Sequence, residues 1–481
     1  MDRLQELRTT IKKLEESTTP SLLKDGYEID TVRNFLEYLG NPQKAFKIIH
    51  IGGTSGKGST AYFTSALLNS HGIKAGLFTS PHISSVRERI KVGDREISNG
   101  DFIENVNFVL KKAREFTDVN TVDPAINKRK LTYFEILLAA ALVHFKNSGV
   151  EVAVIEVGLG GKLDPTNVLH GDVAVLTNIG LDHTEILGDT IEKIAKDKVE
   201  IIKKGSIVIS GFKQKSTVDI LMNKVAEKDV KILLLGKEFD YDLLSKTING
   251  SEFDFIFGSL KIEQVRIYVL GAHQVVNACI ALTTFIEYCK LRGNEAYKVG
   301  IDINFNIDID KVKKALSEAK IPGRIEVKSK QPLIIWDSAH NEDKMNALVE
   351  TISELDELSD HDIYLLFAFK KGQDRYRLLD PLEKLGGRVK KVVLTKYKLK
   401  QDVELESEPV QNFLDILREK LPEADIRFDP DPKSAYEGLT NEVKNKNKSK
   451  ERQKGKDPQS GKGHMFMLLV TGSFYLLSSL G

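Results

Sequence analysis

Residues 52–60 read Gly-Gly-Thr-Ser-Gly-Lys-Gly-Ser-Thr and directly follow the apolar run Phe46–Ile51 (FKIIHI). Small residues at Gly53, Thr54, Ser55 and Gly56 let backbone N–H groups close around phosphate oxygens. A helix beginning at Gly58 would turn its positive end towards them. Lys57 would reach the outer phosphates of a nucleotide, and Ser59 or Thr60 would offer a hydroxyl to a phosphate or a divalent cation. The usual spacing places Ser or Thr directly after the lysine, so the intervening Gly58 makes the match imperfect. A plain glycine turn is the competing reading. The strand–loop–helix setting and the lysine favour the phosphate site.

Two more segments carry metal chemistry. Glu156 closes the buried run Val152–Glu156 and precedes Gly158-Leu159-Gly160-Gly161, while the run Val173–Asn178 leads into Asn178-Ile179-Gly180-Leu181-Asp182-His183. In open α/β sheets, ligands bind beyond the carboxyl ends of the strands. Oxygen ligands, a phosphate and one imidazole suit Mg²⁺ at a nucleotide. Taken singly, Glu156 and His183 read as ordinary loop residues. As a pair on neighbouring strand ends beside a phosphate loop they read as metal ligands.

The elements that must position these residues follow from periodicity. Short apolar runs at 46–51, 74–78, 152–156 and 173–178 alternate with helical patterns at 58–71, 131–147 and 190–203. This alternation predicts an α/β fold with a mainly parallel sheet covered on both faces. Residues 232–270 shift to shorter alternating strands, an antiparallel patch, and a helix is expected over Gln274–Arg292. Gly293–Asn306 shows no strong periodicity and is taken as the boundary between domains 1–296 and 297–481. A second α/β series then uses Leu333–Trp336, Ile363–Phe367, Val392–Leu394 and Met465–Val470 as strands.

A chain of 481 residues is long enough for two or three domains. The stretch 443–463 holds eight Lys/Arg against two acids, leaving the rest of the chain at −5 against an overall charge of +1. With almost no apolar content, the stretch reads as a disordered basic surface insertion. An acidic body with one basic segment is not the footprint of a dedicated nucleic-acid binder. Cys279 and Cys289 lie ten residues apart in a helical pattern, too far for a disulfide. The charged N-terminus lacks the apolar core of a signal peptide, and no apolar run is long enough to span a membrane. The expectation is a cytoplasmic protein that acts on small molecules as a monomer.

The ordered motifs then become specific. Leu39-Gly40-Asn41-Pro42-Gln43, GGTSGKGST, Thr79-Ser80-Pro81-His82, Arg87-Glu88-Arg89-Ile90, Thr132-Tyr133-Phe134-Glu135, EVGLGGKLDPTNV at 156–168 and IGLDHTEILGDTIEKIAKDK at 179–198 appear in sequence. Gly271-Ala272-His273-Gln274 with Asn277, Pro322-Gly323-Arg324, Asp337-Ser338-Ala339-His340-Asn341 and Thr471-Gly472-Ser473 continue the series. Together they resemble the folylpolyglutamate synthase/dihydrofolate synthase family, a branch of the Mur ligases. The likeness spans nearly the whole chain outside the basic stretch.

The resemblance implies a Mur-ligase-type ATPase domain containing the phosphate loop, followed by a smaller Rossmann-like C-terminal domain. It implies ATP-dependent ligation of L-glutamate to a folate, and to dihydropteroate in bifunctional members, through an acyl phosphate. Lys57 and Ser59 match the triphosphate loop, and Ser80, Glu156 and His183 match its magnesium ligands. Lys198 matches a lysine that the family can carry as a carbamate, although EKIAKDK alone reads as a solvated helix face. Asn277, Arg324, Asp337 and His340 match nucleotide-holding residues, and Phe134 and Asp164 fall where bifunctional members bind a pterin. Ser55, Lys162, Ser338 and Glu342 stand where asparagine, arginine, glycine and proline are usual. The alternatives are a Mur-type ligase for a non-folate carboxylate such as a peptidoglycan precursor, and a nucleotide-binding scaffold without turnover.

Overall fold

The computed structural model describes residues 3–18, 27–119, 129–298, 307–400, 404–454 and 464–480. Close packing divides the chain into two units. The first holds Met1–Leu243, Phe253–Arg266 and Gln274–Ala319, and the second holds Leu244–Glu252, Ile267–His273 and Lys320–Gly481. The helix Ile309–Glu318, beyond the boundary expected at 296/297, packs with the first unit against the helix Lys57–Ser70.

The first unit is built on eight strands: β1 (Lys47–Gly52), β2 (Ala75–Phe78), β3 (Ile90–Val92), β4 (Arg95–Glu96), β5 (Val152–Glu156), β6 (Val173–Leu176), β7 (Ile207–Ser210) and β8 (Lys231–Leu234). Their order is β4-β3-β2-β5-β1-β6-β7-β8. All neighbours from β2 to β8 run parallel, and β3 and β4 add an antiparallel edge. The runs that read as continuous apolar segments are the central strands, because a parallel strand covered on both faces needs apolar side chains on both. Every residue of β2, β5 and β6 is buried. Glu156 and His183 are expected on neighbouring strand ends, but the strands leading to them, β5 and β6, are separated by β1. Ile51 pairs with Glu156 on one side and Gly52 with Leu176 on the other, so the loops after β5, β1 and β6 leave the same edge.

Over one face lies the helix Tyr133–Asn147, buried along nearly its whole length. Its start is fixed by a capping box. Thr132 Oγ1 accepts the Glu135 amide, and Glu135 Oε2 accepts the Thr132 amide at 2.7 Å. Its Phe134 and Phe145 form one core with Phe78 and with residues of the helices Arg3–Ser17 and Asn99–Val119, Phe102 among them.

A three-stranded sheet follows, β9 (Phe239–Thr247), β10 (Gly250–Phe257) and β11 (Leu260–Ile267), ordered β11-β10-β9. The second unit then uses β12 (Glu326–Lys330), β13 (Leu333–Trp336), β14 (His361–Phe367), β15 (Val389–Leu394), the small hairpin β16 (Lys398–Lys400) and β17 (Glu404–Glu406), β18 (Asp425–Phe428) and β19 (Met465–Thr471). Its main sheet runs β12-β13-β19-β14-β15-β18, parallel except for the edge strand β12. The last strand, β19, is central: Val470 pairs with both Trp336 and Leu366.

For residues 443–454 the structure corrects the reading of 443–463 as a disordered insertion. Residues 443–454 complete the helix Pro432–Lys454, which packs on β14 and β19, and residues 455–463 lie outside the described residues. Val443 is fully buried. Asn447 Nδ2 donates to the Phe466 carbonyl at 2.9 Å and its Oδ1 accepts the Phe466 amide at 2.8 Å. The composition argument failed because two buried residues on one face can dock a helix that is polar elsewhere. Among the described residues, no helix is long and apolar enough to cross a membrane.

Candidate active site

The loop after β1 is shaped by two glycines whose positive φ and close neighbours disfavour any side chain. Gly53 has φ +139°, and a Cβ there would stand 2.0 Å from Thr177 Oγ1. Gly56 has φ +82°, and a Cβ would stand 2.3 Å from Asn277 Oδ1. The loop is held from β6: Ser55 N–H donates to Asn178 Oδ1 at 2.7 Å, Thr54 N–H to the Asn178 carbonyl at 2.9 Å, and the Thr177 hydroxyl to the Ser55 carbonyl at 2.6 Å. Gly180 N–H donates to Thr54 Oγ1 at 3.1 Å. Asn178 and Thr177 were not singled out from sequence as holders of this loop. Their position at a strand end was visible, but their contacts depend on β6 lying beside β1.

Gly56 caps the helix Lys57–Ser70 without any side-chain hydrogen bond, so the first-turn amides are not used by a cap. Ser59 and Thr60 are buried in that turn. The Thr60 and Ser55 hydroxyl oxygens are buried without hydrogen-bond partners among the described residues. A ligand in the loop would satisfy these buried polar atoms, and hydroxyls and amides at a helix N-terminus suit a phosphate. Lys57 Nζ folds back onto the Gly53 and Thr54 carbonyls, at 2.9 and 3.3 Å.

The Glu156 carboxylate is buried at the end of β5 and accepts the Ser80 amide at 3.0 Å. It faces Gly58 in the first turn of the phosphate-loop helix. Ser80, Glu156 and the phosphate loop are therefore brought together. His183 caps a short helix in the left-handed conformation (φ 50°) and stands 3.9 Å from Asp182 and 3.7 Å from Glu185. Among the described residues, no three His, Cys, Asp or Glu side chains converge as a metal cluster. A single buried carboxylate beside a phosphate cradle still fits Mg²⁺, which takes one or two carboxylates and completes its shell with phosphate oxygens and water.

Lys198 is not on a solvated face. It ends the helix Ile191–Lys198 with 4% of its surface exposed, and its Nζ lies 3.5 Å from the Gly160 carbonyl. The glycine run after β5 permits this approach, since a Cβ on Gly161 would come within 2.7 Å of Lys198 Cα.

Asp164 is buried at the start of a short 3₁₀ turn. Its Oδ2 accepts the Leu159 amide at 2.8 Å and its Oδ1 the Thr166 amide at 2.9 Å. Burial pushes its carboxyl upward, and these hydrogen bonds and Lys57 oppose that rise. Phe134 lies against the same turn, so that a Cβ on Gly158 would meet both Phe134 Cζ (2.9 Å) and Asp164 Oδ2 (3.1 Å). Behind it, Glu135 binds Arg129 through two hydrogen bonds of 2.9 and 2.6 Å and accepts the Tyr27 hydroxyl at 2.6 Å. Neither Arg129 nor Tyr27 was found from sequence, because both reach Glu135 from segments with no motif of their own.

In the second unit, Asp337 at the end of β13 accepts the Ile325 amide at 2.9 Å and the Ala339 amide at 2.7 Å. Burial raises its carboxyl, opposed by Arg324. Arg324 donates to Ser338 Oγ and lies over the Phe474 ring. His340 Nδ1 lies 2.8 Å from the Ser338 carbonyl and its Nε2 lies 2.9 Å from Lys344 Nζ, which fixes an Nδ1–H tautomer. Arg324, Asp337 and His340 thus form one cluster, while Asn277, on the helix Ala272–Lys298 of the first unit, stands against Gly56 of the phosphate loop.

Comparison with known proteins agrees with this architecture. The Mur ligase middle domain matches residues 51–285. The chain is 32% identical over 336 residues to the folylpolyglutamate synthase of Lacticaseibacillus casei, covering 70% of this chain and 74% of that protein. It is 30% identical over 364 residues to the "Probable bifunctional folylpolyglutamate synthase/dihydropteroate synthase" of Haloferax volcanii, covering 74% of this chain but spanning only 40% of that longer protein. The solved FPGS-AMPPCP-folate complex superposes with a TM-score of 0.72 at 26% identity, covering 98% of each chain. This chain belongs to the folylpolyglutamate synthase/dihydrofolate synthase family of Mur ligases.

Proposed function

We propose that this protein is an ATP-dependent ligase that joins the amino group of L-glutamate to the carboxylate of a folate, and of dihydropteroate where the pterin pocket admits it. The observation that carries the reading is the uncapped helix start with its buried hydroxyls at Ser55 and Thr60, closed on one side by the Glu156 carboxylate. The comparison protein of known structure was solved with an ATP analogue and folate, which supports the same pair of substrates here.

A free carboxylate is a poor electrophile. Its oxygen first attacks the γ-phosphorus of ATP, forming an acyl phosphate as ADP leaves. The glutamate amine then attacks the acyl carbon, the carbon–oxygen bond to phosphate breaks, and the amine loses a proton. Gly53, Thr54, Ser55, Gly56, Gly58, Ser59 and Thr60 would cradle the phosphates, and Lys57 would turn from the Gly53 and Thr54 carbonyls to the transferring group. Asn277, Arg324, Asp337 and His340 are assigned to the nucleotide, and Phe134 and Asp164 to the pterin. Ser80, Glu156, His183 and Lys198, the last as a carbamate, would hold Mg²⁺, which supplies positive charge to the phosphates when bound.

The test is phosphate release from ATP with tetrahydrofolate and with dihydropteroate, each with and without L-glutamate. Release that requires both a folate and glutamate is expected. Release with a different carboxylate acceptor and with neither folate would move the protein to another Mur-type substrate.

A further inference from the structure

His50 lies on β1, two residues before the phosphate loop, with its side chain wholly buried. Its Nε2 is 2.8 Å from Thr166 Oγ1, and the Thr166 hydroxyl donates onward to Asp164 Oδ1. The chain His50–Thr166–Asp164 therefore runs from the middle of the sheet to the turn that faces Phe134.

A hydroxyl has one proton to give. If Thr166 gives it to the Asp164 carboxylate, Thr166 must receive one from His50, which requires the Nε2–H tautomer. The opposite polarity would place the proton on Asp164 and leave Nδ1–H on His50. His50 Nδ1 is buried without a hydrogen-bond partner among the described residues, and orphaned buried N–H groups are rarer than orphaned acceptors. Burial raises the Asp164 carboxyl, and the amides of Leu159 and Thr166 that point at it favour its charged form against that rise. Burial and the charge of Lys203 hold the imidazole neutral, down to about 3. The orphaned Nδ1 at one end and the two backbone amides at the other select the same polarity.

We propose that His50 and Thr166 are positioning residues for the substrate pocket: a neutral Nε2–H imidazole orients the Thr166 hydroxyl, which holds Asp164 as a carboxylate supporting the Gly158–Leu159 turn against Phe134. With Oδ1 taken twice and Oδ2 once, Oδ2 keeps capacity for one further donor, such as the ring N–H or amino group of a flat heterocycle. This inference rests on the assignment of Asp164 and Phe134 to the pterin, and it explains how a carboxylate so deeply buried is kept aimed.

One arm of the test needs no substrate. ¹⁵N-histidine spectra of the whole protein at pH 7 should show His50 as the neutral Nε2–H tautomer; an Nδ1–H or doubly protonated ring overturns the proposal. In the second arm, Thr166→Val should raise KM for the pterin substrate about ten-fold, the equivalent of one hydrogen bond of ordinary strength, with KM for ATP unchanged. Thr166→Ser should restore it. His50→Gln, which keeps a donor near Nε2, should behave like Thr166→Ser, and adding His50→Leu to Thr166→Val should cost little more, because the residues act as one chain. A folded Thr166→Val enzyme with an unaltered pterin KM also overturns the proposal. If the wild type turns over no folate, the functional reading fails and the tautomer measurement still decides the hydrogen-bond chain.

Discussion

The Glu156 carboxylate lies over Gly58: a Cβ on residue 58 would stand 3.4 Å from Oε1 and 3.5 Å from Oε2. The glycine that interrupts the usual lysine–serine spacing is thus the residue that leaves this carboxylate an open face. An alanine methyl would fit without a clash and would favour the helix by about 1 kcal/mol. Gly58→Ala should therefore keep or raise the melting temperature while turnover falls and the magnesium requirement rises. Unchanged rate and magnesium dependence would show that Glu156 does not need this face. Gly56→Ala should behave differently, because φ is +82° and Asn277 blocks the space. Nucleotide affinity and stability should both fall, the latter by about 1 kcal/mol or more.

Lys57→Ala should abolish ligation and leave the circular dichroism spectrum intact. Among the described residues its ammonium hydrogen-bonds only to carbonyls of its own loop, Gly53 and Thr54, at 2.9 and 3.3 Å. Wild-type-like phosphate release by the folded variant would sink the phosphate-loop assignment.

Lys198 is buried beside the Gly160 carbonyl, where an unmodified ammonium near a divalent ion would be repelled. A carbamate would instead supply anionic oxygen. Lys198→Ala should lose activity, small carboxylic acids should restore part of it, and ¹³C-bicarbonate should give a carbonyl resonance in the wild type alone. Full activity in the variant, or a signal that persists in it, would remove the carbamate.

His50 makes stability pH-dependent in a definite direction. Its folded value is lowered to about 3 from 6.5, so the unfolded chain binds a proton that the native state refuses. Its contribution is complete above pH 6.5 and is lost as pH falls from there towards 3, at up to about 1.4 kcal/mol per pH unit. Urea unfolding followed by circular dichroism should show His50→Gln losing less stability than the wild type between pH 6.5 and 4. Parallel losses in the two proteins would contradict a buried neutral imidazole.

Asn447→Ala should destabilise the protein by about 1–3 kcal/mol, since it strips both hydrogen bonds from the buried backbone of Phe466. Lys448→Ala, on the exposed side of the same helix, should change stability by less than about 0.5 kcal/mol. Equal and small effects in thermal denaturation would return this segment to the status of a loosely held insertion.

Much of the catalytic unit was legible in the sequence because its signals are local. Apolar runs at 152–156 and 333–336 coincide with β5 and β13, and Thr132 with Glu135 marks a helix start that the capping box makes. A glycine loop between strand and helix announces itself through backbone geometry that few other residues allow. What only the tertiary structure decided depends on neighbours distant in the chain. The strands before Glu156 and His183 flank β1 rather than neighbour each other, because strand order is set by crossovers that periodicity does not encode. Lys198 belongs to a helix that reads as solvated, and its burial comes from the glycines at 160 and 161 that let it approach. Residues 443–454 look too polar to fold, yet Val443 and Asn447 dock them against a central strand that arrives last. The chain of His50, Thr166 and Asp164 joins residues more than a hundred positions apart. Its polarity follows from a buried nitrogen with no partner among the described residues, a fact that exists only once the strands are packed.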